Sequence, residues 1–141
     1  MKKKFLIATV AFLMSFSTIF ANEIKPVPTL IVNELNREFK NISNLEWKTT
    51  DKFYKASFTA DGTLMEAFFS YEGDLMGVSR NIKLTQLPLS LARETKELIG
   101  VNQPSQLFEL LTDRGTEYFI TYNIGKEVKT FKSDGYSWSR Y

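Results

Sequence analysis

Two kinds of hydrophobic spacing alternate along this sequence. Apolar residues three or four positions apart predict amphipathic helices over residues 30–40 and 87–100. Thr29 is the predicted N-cap of the first helix, and Pro88 suits the first turn of the second. Elsewhere, apolar and polar residues alternate between glycine turns, which predicts strands. The predicted strands are 45–50, 53–60, 63–70, 75–82, 107–113, 116–123, 127–132 and 136–141.

The two halves of this pattern carry similar landmarks. Glycine turns and aromatic strand positions recur 61 to 64 residues apart, as in the pairs Trp47 with Phe108 and Met76 with Trp138. A constant separation of this kind predicts a duplicated unit of one helix and four strands. The predicted fold is therefore α+β: a tandem α-β4 repeat, with two helices packed on one face of a broad antiparallel sheet of about eight strands.

The start of the chain predicts export. Three lysines precede an apolar stretch, and Ala21 precedes a polar run, which is the layout of a signal peptide over residues 1–21. A transmembrane anchor is the alternative, but the stretch is short for a spanning helix and rich in hydroxyl groups. We expect a periplasmic or secreted protein with no membrane insertion after signal cleavage. The expected organisation is a signal peptide over 1–21, a tether over 22–29 and one domain over 30–141, made of repeats 30–82 and 87–141.

Charge and composition narrow the function. The chain has 18 basic and 16 acidic residues, but residues 1–21 hold three lysines and no acid, so the remainder is close to neutral. A basic surface for nucleic acid is therefore not expected. The sequence has no histidine and no cysteine, which removes histidine-based nucleophilic catalysis and the usual zinc sites. We expect a protein that is not an enzyme and that has no cofactor and no metal.

Acidic loops are the first candidate sites. Glu72 and Asp74 flank a glycine, and Asp134 precedes one. Calcium sites need about six oxygen ligands, whereas a hairpin turn needs only an acid beside glycine, so we interpret both loops as turns. Carboxylate pairs on the two predicted helices lie among basic residues, which favours solvated ion pairs over acid–base catalysis.

The sheet face that points away from the helices is the second candidate. Neighbouring strand residues point to opposite faces, so if Tyr54 and Phe69 face the helices, Phe53 and Phe68 face away. Aromatic and charged side chains together suit a surface that binds a protein or peptide. The alternative is that the phenylalanines pack against one another or under a loop. The candidate partner-binding residues are Phe53, Lys55, Leu64, Glu66, Phe68 and Phe119. Trp47 and Trp138 are expected in the core.

The order of these motifs resembles a known family. A tryptophan strand, the strand "FYKASF", the turn "F-x-x-[DE]-G" in each half and the "LP" entry to the second helix resemble PepSY-like proteins of Bacteroidetes-type bacteria, also called β-lactamase-inhibitor-like. The resemblance covers about residues 29–140 and implies the tandem α-β4 fold. The inhibitor behind the name is stapled by disulfides and this chain has no cysteine, so the inhibitor role itself does not carry over.

The expected function is that of an exported, non-catalytic binding protein. Its open sheet face would hold an unknown protein or peptide partner in the cell envelope, with inhibition or modulation of an envelope enzyme as one form of this binding. A carboxylate-dependent hydrolase or a calcium-dependent envelope module is the alternative, and either would need several acids to converge in one pocket.

Overall fold

The structure is a computed structural model that describes residues 25–141, so the predicted signal peptide lies outside the described residues. Helix α1 spans Thr29–Glu38 and helix α2 spans Leu89–Ile99. The strands are β1 Ile42–Thr49, β2 Tyr54–Ala60, β3 Thr63–Phe69, β4 Leu75–Asn81, β5 Pro104–Thr112, β6 Gly115–Ile124, β7 Glu127–Ser133 and β8 Ser139–Arg140. A 3-10 helix over Leu84–Gln86, which was not predicted, leads into α2.

The eight strands form one sheet in sequence order, β1 to β8, and every neighbouring pair is antiparallel. Strands β4 and β5 pair across the boundary between the two halves, with Val78 opposite Leu111. The chain therefore runs as two successive α-β4 units joined edge to edge in a continuous meander. The predicted fold class, α+β with two helices and a broad antiparallel sheet, is confirmed.

Both helices cover the same face of the sheet. Ile31 and Leu35 of α1 pack on the aromatic and alanine side chains of β2 and β3. Leu91 and Ile99 of α2 belong to a cluster with Leu107 of β5 and with Ile120 and Tyr122 of β6. Ala67 of β3 pairs with Val78 of β4, which pairs with Leu111 of β5. Because directly paired residues point to the same face, the helix-side face is continuous from β3 across β4 to β5. No helix of residues 25–141 covers the opposite face, which is called the open face below.

The helix starts differ from the prediction. The N-cap residues are Pro28 and Pro88, and neither offers a side-chain hydrogen bond, while Thr29 is already helical. The N-cap role predicted for Thr29 is therefore wrong. Leu30, the first residue of the predicted helix 30–40, is 63% exposed and lies beside the turn that contains Gly73.

The turns follow the sequence closely. Asp61 and Gly62 have φ angles of 48° and 75°, as a type I′ hairpin turn requires. The acidic loop after β3 is also a hairpin turn: the Ser70 amide donates to the Asp74 carbonyl at 2.9 Å, and Gly73 has a φ of 100°. The Asp134-Gly135 loop likewise joins the antiparallel strands β7 and β8. Both acidic loops are therefore connections between neighbouring strands, as interpreted from the sequence.

The two tryptophans pack in the helix-side core, as expected. Trp138 is buried under α2, where its indole N–H donates to the Thr95 hydroxyl at 2.9 Å, and Trp47 lies against Phe69. Trp47 and its proposed counterpart Phe108 nevertheless lie on opposite faces of the sheet, as do Trp138 and Met76. The two units share their element order, but in these two landmark pairs the matched side chains point to opposite faces of the sheet.

Residues 25–28, the described part of the predicted tether, lie against the domain. Val27 packs on the core under α1, and the Thr49 hydroxyl at the end of β1 donates to the Lys25 carbonyl at 3.2 Å. Neither helix within residues 25–141 is long and apolar enough to cross a membrane.

Candidate functional site

The candidate site is the open face, to which all six residues proposed from the sequence belong. Phe53 precedes β2 by one residue, so alternation places it on the same face as Lys55. Lys55 pairs with Phe68 of β3, and Phe119 pairs with Phe108 across β5 and β6. The structure divides this face into a buried apolar part and a groove beside it.

A second hydrophobic core fills the middle of the open face. We call it the apolar floor; its members are Phe53, Phe68, Leu110 and Phe119, which are buried, together with Met76 and Phe108, which pack against them. Exposure is 2% for Phe53, 3% for Phe68 and 0% for Phe119. These three phenylalanines are therefore not the exposed anchors that a binding patch was expected to present. The alternative, that they pack against one another, is the observed arrangement.

Ring contacts explain how a face without a helix can bury these side chains. Phe53 meets Phe68 edge to face, with ring centroids 5.6 Å apart, and Phe108 stacks on Phe119 at 5.0 Å. Such pairs are worth about 0.5–1.5 kcal/mol beyond their area burial. Side chains from β3, β5 and β6 shield one another, so the floor is packed without a partner.

Gly77 of β4 makes this packing possible. It lies between Phe68 of β3 and Thr112 of β5 on the open face, next to an irregularity in the β3–β4 register. A methyl group at Gly77 would stand 3.1 Å from the Leu111 carbonyl oxygen and 3.5 Å from the Leu110 side chain. The missing side chain lets Leu110 lean over β4 and complete the floor.

An open groove adjoins the floor. It has a volume of about 720 Å³ and runs over the ends of β3, β4 and β5. Its lining includes Leu64, Glu66, Ser79, Asn81, Gln106 and Phe108. Of the residues proposed from the sequence, Leu64 and Glu66 belong to this groove, and Leu64 is 51% exposed.

An ion pair forms the wall between the groove and the floor. The Lys55 ammonium lies 2.6 Å from Glu66 Oε1, and the Ser57 hydroxyl donates to the same oxygen at 3.3 Å. Both charged side chains are about four-fifths buried. The proposed residues Lys55 and Glu66 are therefore brought together, and each largely neutralises the other.

Tyr141 covers the opposite side of the floor. Its ring meets Phe119 edge to face at 5.9 Å and is 41% exposed, and the Lys132 ammonium lies 5.8 Å from its centre. Burial raises the pKa of the Tyr141 hydroxyl above its ordinary value of 10.0, and the Glu117 carboxylate raises it further. Tyr141 thus presents a neutral hydroxyl at the surface of the open face.

Alkaline titration should detect this environment. Because the folded state holds the Tyr141 proton more tightly than the unfolded chain does, the stabilisation is complete below pH 10.0 and is lost as pH rises through the raised pKa. We expect the free energy of unfolding to fall more steeply above pH 10.0 in the unmodified protein than in Tyr141→Phe. Urea denaturation at a series of pH values measures this, with Tyr136→Phe as a control at a more exposed tyrosine. Equal slopes for the protein and Tyr141→Phe would contradict the assignment.

Sequence reasoning missed several members of the site. Phe108 and Leu110 were placed in a predicted strand, but the face to which each side chain points was not assigned. Ser79, Gln106 and Tyr141 were not singled out. The alternation of "LFELL" beside the outward Phe119 could have shown the first two. Nothing in the local pattern marks a groove formed where three strands end.

No group of acidic side chains within residues 25–141 is arranged to hold a metal ion. The acidic residues of the hairpin turns lie at separate connections along the chain.

No family model matches the chain, and no curated protein matches it. Solved structures do. A BLIP-like protein from Bacteroides fragilis aligns over 82% of this chain and 85% of its own, with 19% identity and a TM-score of 0.67. A DUF2874 family protein from Bacteroides uniformis aligns over 82% and 88%, with 8% identity and a TM-score of 0.73. A candidate periplasmic protein from Bacteroides eggerthii aligns over 82% and 90%, with 10% identity and a TM-score of 0.74.

These likenesses concern the fold. Identities of 8–19% over more than four-fifths of each chain mean that the helix and strand arrangement is shared while most side chains differ. The β-lactamase-inhibitor-like fold expected from the sequence motifs is confirmed at this level. The residues of the open face have to be interpreted from their own chemistry.

Proposed function

We propose that this chain, which shares its fold with BLIP-like and DUF2874 proteins of Bacteroides, is an exported, non-catalytic binding protein. Its open face holds a protein or peptide partner in the cell envelope. Inhibition or modulation of an envelope enzyme is one consequence that such binding would have. Export is supported by the predicted signal peptide and by the candidate periplasmic protein among the structures with this fold.

One observation supports this function above the others: exposed apolar groups border a buried, preordered floor. Leu64 is 51% exposed on one side of the floor, and Tyr141 is 41% exposed on the other. Interface hot spots combine a fixed, well-packed base with aromatic or aliphatic groups that lose water on contact. Because the floor is already packed, its side chains need lose little further entropy when a partner binds.

The charges of this face suit contact with another protein. Glu66 is already paired with Lys55, and Lys132 lies over the Tyr141 ring. Burying charges that are already paired within one partner costs less than burying isolated ones. The role assigned to Phe53, Phe68 and Phe119 changes accordingly, because they support the contacting side chains from below.

Capture from a periplasmic extract of the native bacterium tests the proposal. The protein is immobilised, the retained partner is identified by mass spectrometry, and its affinity is then measured with purified components. Leu64→Ser and Tyr141→Ser are each expected to weaken binding of the partner about tenfold or more, which corresponds to about 1.4 kcal/mol. Both side chains are partly exposed, so the melting temperature should change little.

Leu89→Ser is the matched control, since Leu89 is 74% exposed at the start of α2. It should leave the affinity unchanged. A partner whose affinity falls with Leu89→Ser and not with Leu64→Ser or Tyr141→Ser would place the interaction on the helix side and refute the proposal.

A further inference from the structure

We infer that the groove at the ends of β3, β4 and β5 is a subsite for an uncharged, extended peptide segment that carries an apolar side chain. The inference rests on the proposed function and specifies which part of the partner the open face recognises. Its support comes from an unpartnered buried hydroxyl, from free amide groups and from two apolar walls.

Ser79 is the most specific element of the groove. It is 5% exposed, it lines the groove, and its hydroxyl forms no hydrogen bond with any other group of residues 25–141. Within residues 25–141, every fully enclosed polar side-chain atom has a hydrogen-bond partner. The Ser79 hydroxyl has none, so it is not fully enclosed and opens into the groove. A buried hydroxyl that a ligand can reach both donates and accepts a hydrogen bond.

Two amide side chains extend this polar line. Asn81 follows Ser79 by two residues and so lies on the same face of β4, and Gln106 lies on β5 beyond Phe108. Neither amide is hydrogen-bonded within the described part of the chain. Hydroxyl and amide groups that both donate and accept match the alternating N–H and C=O groups of a peptide main chain.

Apolar walls flank these polar groups. Asn81 pairs with Phe108 of β5, and on its other side Leu64 precedes Met65, which pairs with Arg80. Neighbouring strands lie about 4.8 Å apart, so Leu64 and Phe108 are separated by roughly 10 Å across β4. An extended segment over Asn81 would therefore place an apolar side chain against Leu64 or Phe108 while its main chain meets the polar line.

The charge of the lining selects an uncharged segment. Glu66 is paired with Lys55, and the remaining charged group of the lining, Lys83, is exposed. A charged side chain placed deep in this groove, away from the exposed Lys83, would lose water without gaining an opposite charge. Neutral polar and aliphatic groups incur no such penalty.

Amide-detected NMR titration of residues 22–141 tests the inference with a defined probe. The probe is a pentapeptide that alternates serine and leucine, acetylated at one end and amidated at the other. Its addition at millimolar concentration should shift the amide signals of Leu64, Ser79, Asn81 and Gln106 in a saturable manner. A peptide with lysine in place of its leucines should bind at least about tenfold more weakly, since its charges would be buried unpaired.

Variants make the titration specific. Ser79→Ala should weaken binding of the alternating peptide about fivefold, which is the contribution of one ordinary hydrogen bond. Leu64→Ala should weaken it by a similar factor through lost apolar contact. Ser43→Ala is the matched control, because Ser43 is an exposed β1 serine outside the groove. It should leave the dissociation constant unchanged.

The inference is overturned if the peptide produces no saturable shifts, or if Ser79→Ala and Leu64→Ala leave its affinity unchanged. It is also overturned if an uncharged oligosaccharide probe, maltopentaose, shifts the groove signals and the peptide does not. None of these results removes the proposed function, which is tested independently by partner capture with Tyr141→Ser. Loss of capture in that variant, together with failure of the peptide, would refute the groove assignment alone.

Discussion

Replacing Phe68 with alanine should destabilise the protein about as much as replacing its neighbour Phe69, by about 3–5 kcal/mol in each case. The two rings point to opposite faces of β3, and both are buried, with exposures of 3% and 0%. Phe69 packs under α1, whereas Phe68 packs on Phe53 in the apolar floor. In a sheet with one wet face, only Phe69 would have an effect of this size.

Urea denaturation followed by circular dichroism gives both free energies of unfolding. Leu64→Ala is the control, since Leu64 lies on the same strand and face as Phe68 but is 51% exposed. It should cost under about 1 kcal/mol. A Phe68→Ala protein within about 0.5 kcal/mol of the parent, beside a strongly destabilised Phe69→Ala protein, would show that the floor is not a core.

Replacing Trp138 with alanine should cost a similar amount, about 3–5 kcal/mol. Trp138 lies just before the two-residue strand β8, so few backbone hydrogen bonds hold this part of the chain. Its indole N–H donates to Thr95, its backbone N–H donates to Glu94 at 3.2 Å, and its ring packs in the core under α2. We therefore expect the substitution to release β8 from the sheet as well as to open a cavity.

Thermal unfolding and hydrogen exchange separate these two effects. The Tyr141 amide, which donates to the Thr130 carbonyl at 3.0 Å, should lose protection in Trp138→Ala. Tyr136→Ala is the control in the same connection, because Tyr136 is 80% exposed. Unchanged protection at Tyr141 in the tryptophan variant would mean that β8 is held by other contacts.

The sequence predicts the frame of this fold because its signals are local. Asp61-Gly62 can adopt the positive φ angles of a tight hairpin, so the β2–β3 pair follows from a dipeptide. Phe68-Phe69 must send one ring to each face, so the division between helix side and open face follows from alternation. The predicted helix 87–100 ends at Gly100, which follows α2 and adopts a φ of 56°.

Local sequence signals could not show whether the side chains of the open face are buried or exposed to solvent. Burial of Phe68 and Phe119 depends on side chains that meet across several strands, and on the space left by Gly77. Alternation assigns a face but does not say whether that face is wet. The groove is likewise a product of where three strands end, and the place of Tyr141 over Phe119 depends on the last strand pairing.

Site-specific photo-crosslinking in the native envelope tests the central claim, that the open face holds the partner. A photoreactive phenylalanine analogue replaces Leu64 or Tyr141 on the open face, and Leu89 at the start of α2 serves as the helix-side position. We expect both open-face positions to crosslink to the same protein and position 89 not to crosslink to it. Crosslinking to that protein from position 89, with none from positions 64 and 141, would contradict binding at the open face.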